Sequence, residues 1–233
     1  MTGVDLEAAT ADETLRWAYS SHRRVALVAS FQAESSVLID MACGIVESPE
    51  VLTLDTGRLP EETHAIVDEF RERYPIRLRI LAPKASEVQR MTSAHGPNLF
   101  RQSVERRHEC CEVRKVRPLA VALRDFDAWI TGLRREQSAT RASTATVSRD
   151  DLHGGITKIA PLVAWSRDDV WSYIREHRVP THALYERGYA SIGCAPCTRA
   201  RRPGEDERAG RWWWESDSAK ECGLHRAMLE AVG

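Results

Sequence analysis

Val25-Ala-Leu-Val-Ala-Ser-Phe-Gln-Ala-Glu-Ser-Ser36 passes without a break from an apolar run into a polar turn. The run, residues 25–29, has the length of a strand buried on both faces, the kind that fills the middle of a parallel sheet. Residues 30–36 read as the turn and residues 37–46 as a helix. A strand feeding a helix in this way brings unbonded backbone N–H groups and the positive helix end to the strand's carboxyl edge, which suits an anion. The same turn also reads as an ordinary cap by Ser35 or Glu34. It contains neither a Walker A motif nor G-x-G-x-x-G.

Outward from this stretch the pattern repeats. Residues 51–55 read as a second strand, residues 76–81 as a third, 127–132 as a fourth and 158–160 as a short fifth. Helical patterns fall at 6–19, at 60–74 with Pro60 in the first turn, at 86–94, and at 167–178 behind Ser166 as cap. Strands alternating with helices imply an α/β fold, a parallel twisted sheet with helices on both faces, Rossmann-like in outline. Residues 133–157 form a long polar stretch rich in Ser and Thr, read as a functional or mobile loop. Past Thr198 the apolar periodicity weakens, and Trp212-Trp-Trp214 is the only bulky cluster. The expected division is a body over 1–211 and a mobile C-terminal segment over 212–233.

Composition narrows the function. The chain has 233 residues, 33 Lys+Arg against 34 Asp+Glu, and a net charge of −1. That balance argues against a nucleic-acid binder, which carries basic excess. The longest apolar run is far short of a membrane span, and the acidic first residues hold no apolar signal core. A cytoplasmic protein is expected, with oligomeric state left open. The basic residues are 29 Arg and only 4 Lys. A guanidinium grips phosphate and sulfate oxygens bidentately, and Arg134, Arg135, Arg141, Arg199, Arg201, Arg202, Arg208 and Arg211 are clustered in sequence.

The cysteines are the sharper signal. Cys110 and Cys111 are adjacent, and Cys194-Ala-Pro-Cys197 is a C-x-x-C turn. Four thiolates suit an iron–sulfur cluster or a tetrahedral zinc site, and the alternatives are a redox C-x-x-C or buried structural thiols. Because neighbouring side chains diverge on any regular element, a shared site predicts a helical kink or a strained ligand at Cys110-Cys111. Arg114, Lys115 and Arg117 would offset the charge of bound thiolates. Cys222, in Glu221-Cys-Gly-Leu-His225, has no cysteine neighbour and is a candidate nucleophile, with His225 able to favour its thiolate. An incidental exposed thiol is the other reading. Cys43 falls in an apolar helix and reads as core. Leu54-Asp-Thr-Gly57, at the end of the second strand, could hold an adenine or a ribose or be a plain turn.

Taken together, Ser30-Phe-Gln-Ala-Glu-Ser35, Leu54-Asp-Thr-Gly57, Cys110-Cys-Glu-Val-Arg-Lys115, Thr131-Gly-Leu-Arg134, Cys194-Ala-Pro-Cys197 and Glu221-Cys-Gly-Leu-His225 resemble the assimilatory sulfonucleotide reductases, most of all the iron–sulfur adenylyl-sulfate (APS) reductases. The resemblance runs from about Val25 to His225. It implies the PP-loop ATP pyrophosphatase fold, whose loop reads Ser-Gly-Gly-x-Asp-Ser; here Phe31 and Gln32 stand for both glycines and Glu34 for the Asp, which disfavours an ATP-cleaving relative. It further implies a [4Fe-4S] cluster on Cys110, Cys111, Cys194 and Cys197. Ser30, Phe31, Gln32, Glu34 and Ser35 would meet the phosphosulfate, Leu54, Asp55, Thr56 and Gly57 the nucleoside, and Lys115, Arg134, Arg208 and Arg211 the anionic oxygens. Cys222 would attack sulfur, expel AMP and form an S-sulfonate, which a thioredoxin or glutaredoxin thiol would release as sulfite. PAPS reductases typically lack the four cysteines. The alternatives are a PAPS reductase, a PP-loop tRNA-thiolating enzyme and a zinc-stabilised binding module.

Overall fold

The computed structural model describes residues 5–215 together with Gly223 and Leu224. Its centre is a six-stranded sheet of β1 (Val25–Val28), β2 (Glu50–Leu54), β3 (Arg77–Leu81), β4 (Ala128–Ile130), β5 (Val147–Asp150) and β6 (Ile156–Ile159), in the spatial order β3-β2-β1-β4-β6-β5. All neighbouring pairs are parallel except β5 with β6. Successive strand residues point to opposite faces, and the central strands are apolar on both. Leu27, Val51 and Ile130 face one core cluster, with Leu15 of α1 (Ala11–Ser21), Leu38 of α2 (Ala33–Cys43), Phe70 of α3 (Glu61–Arg73) and Val170 of α7 (Arg167–His177). Ala26, Leu52 and Trp129 face the other, with Leu119 and Leu123 of α6 (Arg117–Leu123). Helices thus cover both faces, as the continuous apolar runs require. Among the described residues no helix is long and apolar enough to cross a membrane.

Several boundaries differ from the sequence reading, each for a local reason. Helix α1 starts at Ala11 rather than residue 6 because Thr10 and Glu13 close a capping box, with Glu13 N–H donating to Thr10 Oγ1 at 3.2 Å and Thr10 N–H to Glu13 Oε2 at 2.8 Å. Helix α2 starts at Ala33, not Val37: its polar first turn, with Ser35 and Ser36, is buried and so breaks the apolar pattern. Pro60 lies just before α3 in extended backbone instead of in its first turn. The stretch 133–157 is not a single loop. It holds the 3-10 turns Arg135–Gln137 and Ala139–Arg141, the strand β5, and the turn Asp151–His153. Strand β5 is an edge strand with Ser148 and Arg149 exposed, so it carries no apolar alternation. Ser166 caps α7 as expected.

Two further helices, α4 (Ala85–His95) and α5 (Val104–Cys111), lead toward α6. Between α5 and α6 the backbone widens into a π turn, Glu112–Val116, immediately after Cys110-Cys111. The helix thus departs from regular α geometry directly after the two adjacent cysteines.

The packed body continues past the Arg211 boundary expected from the sequence. Trp212 is buried, and Arg107 Nε donates to Glu215 Oε1 at 2.7 Å with both side chains under 10% exposed, at 1% and 7%. Removing one partner of such a pair leaves a buried charge uncompensated. Glu215→Ala is therefore expected to lower the unfolding free energy by about 3–5 kcal/mol, whereas Asp12→Ala, which breaks an exposed pair with Arg16, should cost under ~1 kcal/mol. Denaturant titration of both variants checks this, and equal losses would contradict it.

Candidate active site

The sheet order reverses at β1, which has β2 on one side and β4 on the other. Ligands of open α/β sheets bind at such a switch point, beyond the carboxyl ends of the strands. A cavity of about 210 Å³ lies there, floored by Val28, Thr53, Leu54 and Trp129 and flanked by Ala29, Ser30, Thr131 and Gly132. A Cβ on Gly132 would stand 2.8 Å from Glu34 Cβ, so only glycine lets the exit of β4 pass the first turn of α2.

Ser30, Gln32, Glu34 and Ser35 all line the cavity. Phe31 does not: its ring is fully buried, edge-on to Phe70 at 5.3 Å. Its backbone keeps a positive φ of 53°, a conformation costing about 1–2 kcal/mol for a residue with a Cβ. Burial of the ring, worth about 1.5–3 kcal/mol, offsets that cost. The loop therefore keeps a glycine-like bend while its side chain serves the core. Gln32 accepts from Ile192 N at 2.6 Å and donates to Ser30 Oγ at 3.0 Å, tying the loop to the segment 190–193 that closes the cavity opposite.

The second strand edge divides in the same way. Leu54 and Thr56 line the cavity, while Asp55 and Gly57 do not. Asp55 Oδ1 accepts from Gly57 N at 2.8 Å, so these two residues shape the turn.

Lys115, Arg208 and Arg211 line the cavity, joined by Arg141. Arg134 does not. Its buried guanidinium is spent on Glu34 Oε1 at 2.8 Å, Glu136 at 3.1 Å and Glu207 at 3.3 Å. Glu34 and Glu207 themselves line the cavity, so Arg134 neutralises two carboxylates at its wall. Burial, with the charge of Glu34, raises the Glu207 carboxyl against the opposing pull of Arg134 and Arg167.

The four cysteines come together. Cys110, Cys111, Cys194 and Cys197 line one small pocket, walled by Phe100 and Trp212 and ringed by Arg58, Arg107, Arg114, Lys115 and Arg211. Arg114 and Lys115 lie one helical turn beyond Cys110 and Cys111, which presents thiols and cations on one side. Arg117 instead turns outward to Glu87 at 2.9 Å. The other two thiols arrive on the 3-10 turn Ala195–Cys197 and its flank. Ala195 N–H donates to Arg58 O at 2.8 Å, and Trp212 N–H to Cys197 O at 3.1 Å. Arg211 is drawn over the turn because Gly193 has no side chain: a Cβ there would lie 2.4 Å from Arg211 Nη2.

The thiols titrate differently. Burial pushes Cys197 up to about 11, helped by the neighbouring charge of Cys194, and raises Cys110. At Cys194 burial also raises the thiol, but Lys115, the Thr56 hydroxyl at 3.2 Å, Arg211 and Arg114 together outweigh it and bring it below its ordinary value. Among the described residues no three ligating side chains stand at metal-binding separation. The surroundings nevertheless fit an electron-rich group held by thiolates. Arg114 Nε, Arg211 Nε and Trp212 Nε1 are buried with no hydrogen-bond partner among the described residues. Each such donor costs about 1–3 kcal/mol if left unmet, and all three belong to residues walling this pocket.

Two arrangements escaped the sequence reading because their members are far apart in the chain. Thr63, which lines the cavity, has its Oγ1 2.9 Å from Nε2 of the buried His182. Trp129 Nε1 donates to Asp150 Oδ2 at 2.8 Å, and His153 Nδ1 lies 2.7 Å from the same oxygen. The nominated nucleophile Cys222 and its partner His225 lie outside the described residues. Between them, Leu224 lines the cavity, and Gly223, at φ 82°, lies beside Val116.

Residues 24–200 match the model of the phosphoadenosine phosphosulfate reductase domain. The chain is 48% identical over 211 residues to an adenosine 5'-phosphosulfate reductase of Burkholderia cepacia, covering 91% of this chain and 84% of that one. It is 42% identical to the protein of the same name from Neisseria meningitidis serogroup B, covering 97% and 92%. Among solved structures, the phosphoadenylyl-sulfate (PAPS) reductase of Candida auris in its phosphate complex superposes with a TM-score of 0.71 at 26% identity, over 82% of this chain and 91% of that one. The switch-point cavity and the convergent cysteines are thus carried by a chain that belongs to the phosphoadenosine phosphosulfate reductase family, alongside the bacterial adenosine 5'-phosphosulfate reductases.

Proposed function

We propose that this protein is an adenylyl-sulfate reductase of assimilatory sulfate reduction, supplying sulfite for cysteine biosynthesis in the cytoplasm. It converts adenosine 5'-phosphosulfate to sulfite and AMP with a thioredoxin or glutaredoxin dithiol as reductant. The observation that carries this reading is that Lys115 and Arg211 line both the switch-point cavity and the cysteine pocket. Two cations on a shared wall suit a ligand whose anionic end points at the cysteines.

The nucleoside lies on Leu54, Thr53 and Trp129, and the phosphosulfate runs along the start of α2 toward Lys115, Arg208 and Arg211. Charge-assisted bonds to its oxygens are each worth about 1.5–3 kcal/mol. Neutralising the sulfate oxygens makes sulfur accessible to an anionic nucleophile. The Cys222 thiolate, brought in by the segment whose Leu224 lines the cavity, attacks sulfur; the bond to the phosphate oxygen breaks and AMP leaves. A dithiol sulfur then attacks Cys222 Sγ, and the S–S bond formed displaces sulfite with its electron pair. Cys222 departs as thiolate when the second thiol closes the donor's disulfide, so two electrons pass from dithiol to product. His225, near Cys222 in sequence, favours the thiolate. The two steps make opposite demands on this sulfur: sealed from water against the nucleotide in the first, reachable by a second protein's thiol in the second.

Cys110, Cys111, Cys194 and Cys197 would hold a [4Fe-4S] cluster. Such a group would supply a fixed buried charge that orients Lys115 and polarises the sulfate end, not the electrons of the reaction. The unmet donors on Arg114, Arg211 and Trp212 would turn toward its sulfurs.

Turnover tests the reading. Purified protein with thioredoxin should release equal amounts of sulfite and AMP from APS and far less sulfite from the 3'-phosphorylated analogue; the reverse preference would make it a PAPS reductase. Anaerobically purified protein should contain iron and acid-labile sulfide. Cys111→Ser should lose both, along with the visible absorbance and the activity. Stoichiometric zinc with full activity would contradict the cluster.

A further inference from the structure

Nothing in the reaction scheme above uses the α3 side of the cavity. Thr63, in the first turn of α3, is buried yet lines that cavity, and so does Leu59 one turn earlier. Behind Thr63 lies His182, 1% exposed, with Nε2 2.9 Å from Thr63 Oγ1. The other ring nitrogen fixes the direction of that bond. Leu184 N–H donates to His182 Nδ1 at 3.2 Å. A main-chain amide only donates, so Nδ1 is the acceptor and bears no proton. In the neutral ring the proton is then on Nε2, which donates to Thr63 Oγ1. Burial keeps the ring neutral by pushing His182 down to about 4, against the opposing charge of Glu62.

Thr63 Oγ1 is therefore already an acceptor, and its single hydrogen is left to donate. Helical threonines commonly give that hydrogen to the carbonyl four residues back, as the buried Thr14 does to Thr10 O at 2.8 Å and the half-buried Thr92 to Val88 O at 2.9 Å. At Thr63 no such bond forms, and among the described residues His182 is its side chain's only hydrogen-bond partner. Thr63 lines the cavity, and a buried hydroxyl hydrogen with no acceptor among the described residues suits a ligand atom that accepts and does not donate.

We propose that the Thr63 hydroxyl donates to one unprotonated ring nitrogen of the adenine, with His182 as the positioning residue that sets the direction of the bond. The proposal rests on reading the cavity as the nucleotide site. Anionic oxygens are served by Lys115, Arg208 and Arg211. A ribose hydroxyl both donates and accepts, so it gains nothing from an enforced direction. The adenine ring nitrogens only accept, which matches a donor-only position.

The test measures binding of AMP and of its 1-deaza, 3-deaza and 7-deaza analogues to the full-length holoprotein. Thr63→Val, nearly the same shape, should bind AMP about three- to tenfold more weakly, the worth of one neutral hydrogen bond. One analogue should bind the wild type more weakly by the same factor and lose nothing further on Thr63→Val. The other two should still register the substitution in full. His182→Phe should reproduce the loss, and His182→Gln, whose amide N–H reaches the Nε2 position, should restore most of it. Nitrogen-15 spectra should show the His182 proton on Nε2. Unchanged AMP binding by Thr63→Val, an equal loss against all three analogues, or a proton on Nδ1 would overturn the proposal while leaving the nucleotide site standing. Failure of the wild type to bind AMP at all would overturn both.

Discussion

Two thiols on neighbouring residues cannot both face one pocket from a straight α-helix, where successive side chains are about 100° apart. The chain meets this constraint at Cys110-Cys111 by ending α5 there and widening the next turn into a π segment, Glu112–Val116. Such turns are rare and concentrate at functional sites. This one brings Cys110 and Cys111 to the pocket completed by Cys194 and Cys197, and it sets Lys115 on the wall between that pocket and the switch-point cavity. From the other side Arg211 reaches the same wall, because residues 197–199 pair with 210–212 and Gly193 leaves room for its guanidinium.

Charge in this region is distributed by pairing rather than by count. Of the many arginines, the two fully buried ones are paired with carboxylates: Arg107 holds Glu215, and Arg134 holds the half-buried Glu34 and Glu207. Two that wall the cysteine pocket are held differently: Arg114 donates to Thr56 O at 2.6 Å, and Arg211 stacks on Trp212 at 4.6 Å.

The fold was legible because the central strands are buried on both faces and the βα turns carry short polar signals. Strand β5 was hidden by its exposed Ser148 and Arg149, and the start of α2 by buried serines. Of the residues nominated from short motifs, Ser30, Gln32, Leu54 and Thr56, at strand ends, line the cavity; Lys115 lines both the cavity and the cysteine pocket, and the four cysteines line that pocket. What a motif cannot tell is which way each member faces. Phe31, Asp55, Gly57 and Arg134 belong to the same motifs, yet they serve the core, the turn and the carboxylates. Thr63, His182, Trp129 and Asp150 were not found at all, since each gains its role from a partner distant in the chain.

The proposed reaction transfers sulfur onto Cys222, two residues before the Leu224 that lines the cavity. The most direct measurement is peptide mass analysis after incubation with adenosine 5'-phosphosulfate in the absence of any thiol donor. One added SO3 group is expected on the Cys222 peptide, with AMP released in equal amount, and none in Cys222→Ser, which still binds nucleotide. An adduct on Cys43 or on one of the four clustered cysteines, or sulfite formation by Cys222→Ser, would contradict it.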